Sequence, residues 1–240
     1  MSKTIGKQLY SKELQETIEL IVHLPPRFST LYKYDVLIVQ DGQDYLQLGM
    51  LRGLTDSIFA NSSYRPAVIV AIPYRDVTDR YEKYHPNGSK NNSYIRFLAH
   101  ELVPYIDKEF PTYLMGSTRS LVGDSLAATV SLLTCLRYPH TFGNVILQSP
   151  YVNKTVLNTV KEWHQQHSIR MYHSIGKKEQ DVITSKDKHV NFLEKNKQLY
   201  AQLVHKINDY QYCENQDGTH TWTTWQTDLS DALEFIYRDL

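Results

Sequence analysis

Two short segments of this chain, Tyr34 to Gln40 and Ala67 to Ile72, are apolar and rich in β-branched residues at almost every central position. A strand lying on a surface alternates polar with apolar residues. A strand without that alternation is buried on both faces and needs a layer of structure on each side. Such strands alternate here with stretches of helical periodicity. Gln8 to Tyr10 and Thr17 to Leu24 read as two opening strands, the second ended by Pro25-Pro26. A helix is predicted over Tyr45 to Phe59, and another over Ser93 to Phe110, with Pro104 at a bend. Further strands are predicted at Asn144 to Leu147, Ile169 to Ile175 and Asp209 to Glu214. The helices between and after them cover Lys154 to His164, His189 to His205 and Thr224 to Tyr237. The pattern predicts one α/β domain over 1–240, a mostly parallel central sheet with helices on both faces.

Ligand-contacting residues of such a sheet lie on loops at the carboxyl ends of its strands, and the richest of these follows Leu121-Val122. There Gly123-Asp124-Ser125-Leu126-Ala127-Ala128 leads directly into a stretch with Val130, Leu133 and Leu136 at helical spacing. A strand, a sharp turn bearing serine and a helix form a nucleophile elbow. Its tightness requires small residues around the serine, here Gly123, Ala127 and Ala128. The motif reads G-x-S-x-A where G-x-S-x-G is commoner, so the serine needs partners elsewhere to carry meaning.

Composition narrows the alternatives. Twenty-six basic residues balance 26 acidic ones, so no broad field favours nucleic acid or anionic lipid. No apolar run is long enough for a membrane span, and Met1 to Gly6 has no secretory core. Cys135 and Cys213 have neither metal nor redox spacing, which suits a reducing, cytoplasmic setting. His164 and His167 lack a sensibly spaced third ligand and read as a solvated helix end. No metal or cofactor is expected, and the expected partner is a small-molecule substrate.

Three further loops at strand ends supply polar groups. They are Asp41-Gly42-Gln43-Asp44, Gly176-Lys177-Lys178-Glu179-Gln180-Asp181 and Asp217-Gly218-Thr219-His220-Thr221-Trp222. A serine hydroxyl is a weak nucleophile and needs a base within reach. A histidine supplies it, and a carboxylate on the other ring nitrogen fixes the tautomer. Ser125 is therefore read as nucleophile, His220 as base, and Glu179 as the orienting acid with Asp181 as its alternative. The backbone N–H groups of Leu126 and Gln43 are the natural oxyanion donors. Each residue also has a plainer reading: a packing histidine, a solvated loop charge, a simple turn, or Asp124 capping the helix after the elbow. Arg80 is either a substrate contact or half of an Arg80–Glu82 pair, the pair being favoured because so polar a loop needs internal partners.

The order serine, acid, histidine is that of the α/β-hydrolases, and longer segments narrow the resemblance. These are His23-Leu24-Pro25-Pro26, Asp41-Gly42-Gln43, Arg80 with Glu82, Glu101 to Asp107, Gly123 to Leu126 and Tyr138-Pro139 with Phe142-Gly143. Gln148-Ser149-Pro150 and Gly218 to Trp222 complete the set. Together they resemble the esterase family that includes esterase D, the enterochelin esterases, feruloyl esterases and mycolyltransferases. Asn196 to Leu203 is most similar to the enterochelin-esterase branch. The resemblance implies an α/β-hydrolase fold and hydrolysis of carboxylic esters, of siderophore type or with small acyl groups, through an acyl-enzyme. It places the acid three residues after the loop glycine, at Glu179, and the oxyanion donors at Gln43 and Leu126. Ala127-Ala128 stands where the family usually has Gly-Gly, Pro150 where glycine is frequent, and Thr221 where aspartate is frequent. An acyltransferase or a non-catalytic binding module of the same fold are the rival expectations.

Overall fold

The computed structural model describes residues 2–164, 168–184 and 188–238; His167 lies outside them. Its elements in chain order are β1 (Lys3–Ser11), β2 (Glu16–Leu24), β3 (Asp35–Val39), α1 (Gly42–Gln47), α2 (Leu51–Phe59) and β4 (Ala67–Ala71). Then come α3 (Val77–Tyr84), α4 (Asn91–Phe97), α5 (Val103–Glu109), β5 (Arg119–Asp124), α6 (Ser125–Arg137), β6 (Asn144–Gln148) and α7 (Lys154–Glu162). The chain closes with β7 (Arg170–Gly176), a two-stranded hairpin of β8 (Val182–Ile183) and β9 (His189–Val190), α8 (Phe192–Leu203), β10 (Asp209–Asn215) and α9 (Trp222–Tyr237). Eight strands form one sheet in the order β1-β2-β4-β3-β5-β6-β7-β10. The pairs β1–β2 and β2–β4 are antiparallel, and every later pair is parallel. This is the mostly parallel sheet that the alternation of elements predicts, in the α/β-hydrolase arrangement that the resemblance implies.

The apolar strands divide their side chains between two cores, because successive residues of a strand face opposite sides. Val36 and Ile38 of β3 point to the side covered by α3 to α8. Leu37 and Val39 point to the side covered by α1, α2 and α9. All four are fully buried, so β3 has no solvent face on which to place a polar residue.

Some elements depart from the periodicity. The helix predicted over Tyr45 to Phe59 is two helices. Asp44 O already accepts the N–H groups of both Leu48 and Gly49, and Met50 turns left-handed with φ 51°. The helix predicted over Ser93 to Phe110 is interrupted by a π-helical turn at Leu98–Leu102, where the Val103 N–H reaches back to Leu98 O. Pro104 follows at once. Its ring lacks an N–H and would crowd the carbonyl one turn earlier, and widening that turn relieves the clash. Residues 189–191 are strand and cap rather than helix. Asn191 caps α8 through Glu194 N. Helix α3 was not predicted, although Asp76 caps it through Asp79 N at 2.8 Å. No helix among the described residues is long and apolar enough to cross a membrane.

One buried group ties the fold to pH. His173 of β7 is fully buried between Tyr210 Oη at 2.7 Å and Asn196 Oδ1 at 2.8 Å. Burial lowers its pKa from 6.5 to about 4, against the hydrogen bond with Asn196, which raises it. On acidification the unfolded chain therefore takes up this proton before the folded one does. Stability supplied by the neutral ring is complete above pH 6.5 and is lost progressively down to about 4. The loss amounts to about 3 kcal/mol from this one group. Urea midpoints from neutral pH down to about pH 4.5 should fall steeply in the parent and less steeply in His173→Gln. Equal slopes would exclude His173 as the source.

Candidate active site

Ser125 stands where β5 turns into α6, with φ 49°. A non-glycine residue is strained in this left-handed region, and the neighbouring packing holds it there. A Cβ on Gly123 would sit 2.3 Å from the backbone carbon of Ala127, so only glycine lets the helix pass so close to its strand. Ala127 and Ala128 are fully buried behind the turn. The two methyl groups that replace the usual glycines are thus absorbed by the core. Asp124 makes no capping bond to α6, contrary to the capping role considered for it.

The loops after β7 and β10 bring in the acid and the histidine. They touch through two glycines: a Cβ on Gly176 would lie 2.4 Å from the Gly218 carbonyl carbon. Lys177 N and Lys178 N donate across the same seam to Asn215 O and Gly218 O. This seam sets His220 between its neighbours. Its Nε2 lies 3.1 Å from Ser125 Oγ and its Nδ1 lies 2.6 Å from Glu179 Oε2. Phe192 packs on the imidazole at 4.3 Å between centroids, and Trp225 meets it edge-on at 5.0 Å. Asp181, the alternative acid, is exposed and pairs instead with His189 at 2.7 Å.

Glu179 is fully buried. A buried carboxylate is tolerable only when its oxygens are hydrogen-bonded. Oε1 accepts from Ser149 Oγ at 2.7 Å and from Gly176 N at 2.8 Å. Ser149 in turn accepts from Trp225 Nε1 at 3.0 Å. An indole N–H can only donate, so the single hydroxyl proton of Ser149 is left for Glu179. Ser149 holds φ 46° in making this contact. Neither it nor Pro150, which departs from the family's frequent glycine, lines the cavity at Ser125; the contact this segment makes with the site is that of Ser149 with the acid. Gln148 fastens Trp225 in place by donating to its carbonyl and to Asp228. Sequence reasoning missed this support, because its only local sign was a serine beside a proline.

The turn Asp41-Gly42-Gln43 has its own anchor. Asp41 adopts φ 50° and heads α1, and Arg80 from α3 grips its carboxylate. Nε lies 2.9 and 2.8 Å from the two oxygens, and Nη2 lies 2.5 Å from Oδ2. The favoured Arg80–Glu82 pairing is therefore replaced: Glu82 pairs with Lys90 at 2.9 Å. A second buried carboxylate, Asp124, sits 3.9 Å from the same arginine. Burial, and then the charge of Asp41, pushes the Asp124 carboxyl well above the usual carboxylate range. Arg80 thus balances Asp41, while Asp124 is the carboxyl disposed to hold its proton.

Ser125, Leu126, His220 and Arg80 share the wall of one cavity of about 220 Å³. Rings run around it from His220 through Phe192, Tyr151 and His85 to Tyr81, each 4.3 to 6.0 Å from the next. The hairpin β8–β9 adds Val182, Ile183 and Val190. Gln43 is not in this wall; it sits in the first turn of α1 beside Asp41. As first-turn residues, Gln43 and Leu126 carry N–H groups without an intrahelical acceptor.

Similarity to known proteins identifies the family. Residues 11–236 match the family model described as "Putative esterase". The protein YjcH of Bacillus subtilis (strain 168) is 47% identical over 228 residues, covering 95% of each chain. The enterobactin esterase FES from Shigella flexneri superposes with a TM-score of 0.82 at 19% identity. That match covers 97% of this chain but only 59% of that one. A ferulic acid esterase superposes with a TM-score of 0.80 at 18% identity over 98% of both chains. The chain belongs to this esterase family and is a carboxylic ester hydrolase.

Proposed function

We propose that this chain hydrolyses esters of small, flat acyl groups through an acyl-enzyme on Ser125. The observation that carries the reading is the unbroken relay from Glu179 through His220 to Ser125, with the serine opening into the cavity. Ser125 Oγ attacks the ester carbonyl carbon while His220 Nε2 takes the hydroxyl proton. The tetrahedral oxyanion is met by the N–H groups of Leu126 and Gln43. Collapse breaks the bond to the alcohol oxygen, which leaves with the proton from His220. Water then repeats the sequence on the acyl-enzyme, releasing the acid and restoring Ser125. Glu179 holds the ring so that Nε2 faces the serine. Arg80, fixed by Asp41, is the polar contact that orients the substrate.

The ring of aromatic side chains and the small volume favour the acyl class. At about 220 Å³ the cavity is below the usual range of roughly 300–1,000 Å³ for ligand pockets. It suits one planar acyl group better than a whole macrocyclic trilactone. The relatives' printed names, enterobactin esterase and ferulic acid esterase, lie within the same ester chemistry. A panel of p-nitrophenyl esters tests the reading. Acetate, butyrate and benzoate should be turned over with kcat/KM at least about tenfold above that for dodecanoate, since added methylenes find no room. A preference for the long chain would overturn the assignment of the cavity as the acyl site.

A further inference from the structure

The net charge of zero conceals a local imbalance at the opposite end of the sheet. Three loops enter β3, β4 and β5 there, at 27–34, 60–66 and 110–118. They contain Arg27, Lys33 and Arg65 but no aspartate or glutamate. The first and third are fastened together. Tyr34 N donates to Pro111 O at 3.0 Å, Tyr113 N to Tyr34 O at 3.1 Å, and Lys33 Nζ to Thr112 O at 3.2 Å. Their tips carry Leu31, Tyr32, Tyr113, Leu114 and Met115, five of the eleven large exposed apolar side chains among the described residues. Leu31 is 88% exposed and Leu114 66%. Beside the tips lies a cleft of about 520 Å³ bounded by Arg27, Lys33, Arg65, Tyr64 and Tyr113. Asp35, which also borders the cleft, is buried and held by Arg65 at 3.1 Å.

Solvated loops seldom cluster leucine, methionine and tyrosine at their tips, and grouped apolar exposure marks an interaction surface. The charge pattern selects the partner. A second copy set on this face would bring its own arginines and lysine against these, whereas an anionic surface complements them. Apolar tips flanked by Arg and Lys, with tyrosines at the boundary, match the layering of a bilayer interface. We infer that this face docks reversibly on an anionic membrane, with Leu31, Leu114 and Met115 at the acyl boundary and Arg27 and Lys33 on lipid phosphates. Ser125 lies at the far end of β5, about 20 Å away along six residues. The cavity therefore stays open to water in the docked state.

Co-sedimentation of the full chain with vesicles tests this, comparing phosphatidylcholine alone with phosphatidylcholine containing phosphatidylglycerol. Binding to the anionic vesicles should be at least about fivefold stronger and should weaken with added salt. Leu31→Ser with Leu114→Ser, and separately Arg27→Glu with Lys33→Glu, should each reduce it about tenfold or more. Both variants should hydrolyse a soluble ester at the parent rate, which shows that they are folded. Absent binding, equal binding to neutral vesicles, or variants that bind like the parent would overturn the inference. So would a dimer in light scattering that Leu114→Ser dissolves, because a second copy would then cover the face.

Discussion

Ser125→Ala should lower kcat for p-nitrophenyl acetate by about 10⁴-fold or more while leaving the urea midpoint nearly unchanged. The size follows from what the hydroxyl does. Without Oγ no acyl-enzyme forms, and the residual rate is what oxyanion binding and positioning give to water alone. The midpoint should hold because the change removes one oxygen at a cavity wall. Its side-chain partner is His220, which the Glu179 contact still holds. Alanine retains the Cβ, so the strain at φ 49° is not relieved. Turnover surviving within about tenfold of the parent would mean that another nucleophile carries the reaction.

The second large effect concerns the acid and its support. Glu179→Gln should lower kcat by about 10³- to 10⁴-fold with little change in KM, because an amide cannot stabilise the imidazolium and leaves the tautomer unfixed. Ser149→Ala should act in the same direction but less, by about 10- to 100-fold, through loss of the hydroxyl that donates to Oε1. Steady-state kinetics separate this from a merely structural role. Loss of support to the acid lowers kcat, whereas collapse of the cavity raises KM. Ser149→Thr, which keeps the hydroxyl, should recover part of the rate. A Ser149→Ala enzyme with parental kcat would show that Gly176 N alone suffices to hold Glu179.

Much of this architecture is legible in the sequence, for identifiable reasons. After Asp35, β3 and β4 have no polar position to confuse the reading, since both faces are buried. The 2.3 Å approach behind Gly123 excludes any side chain there, so the elbow leaves a mark in the sequence that the other strand-end loops then complete. His220 and Glu179 are found because both follow strand ends, where such a sheet gathers its polar loops.

What escaped depends on contacts between distant residues. The Asp41–Arg80 grip joins positions 39 apart, and the nearer Glu82 was the more obvious partner. Trp225, Ser149 and Glu179 meet from three different elements. The split near Met50 and the π-helical turn before Pro104 are local corrections to helices whose apolar periodicity runs on past them. Periodicity reports which face is buried. It does not report where the hydrogen-bond ladder breaks.

The central claim is that the acyl group passes through Ser125. Rapid quenching of the protein with a slowly deacylating p-nitrophenyl ester, followed by intact and peptide mass spectrometry, tests it most directly. The account predicts a mass increase of one acyl group, located on the peptide bearing Ser125 and absent from Ser125→Ala. Steady turnover of that ester with no adduct on this peptide, or with the adduct on another residue, would contradict it.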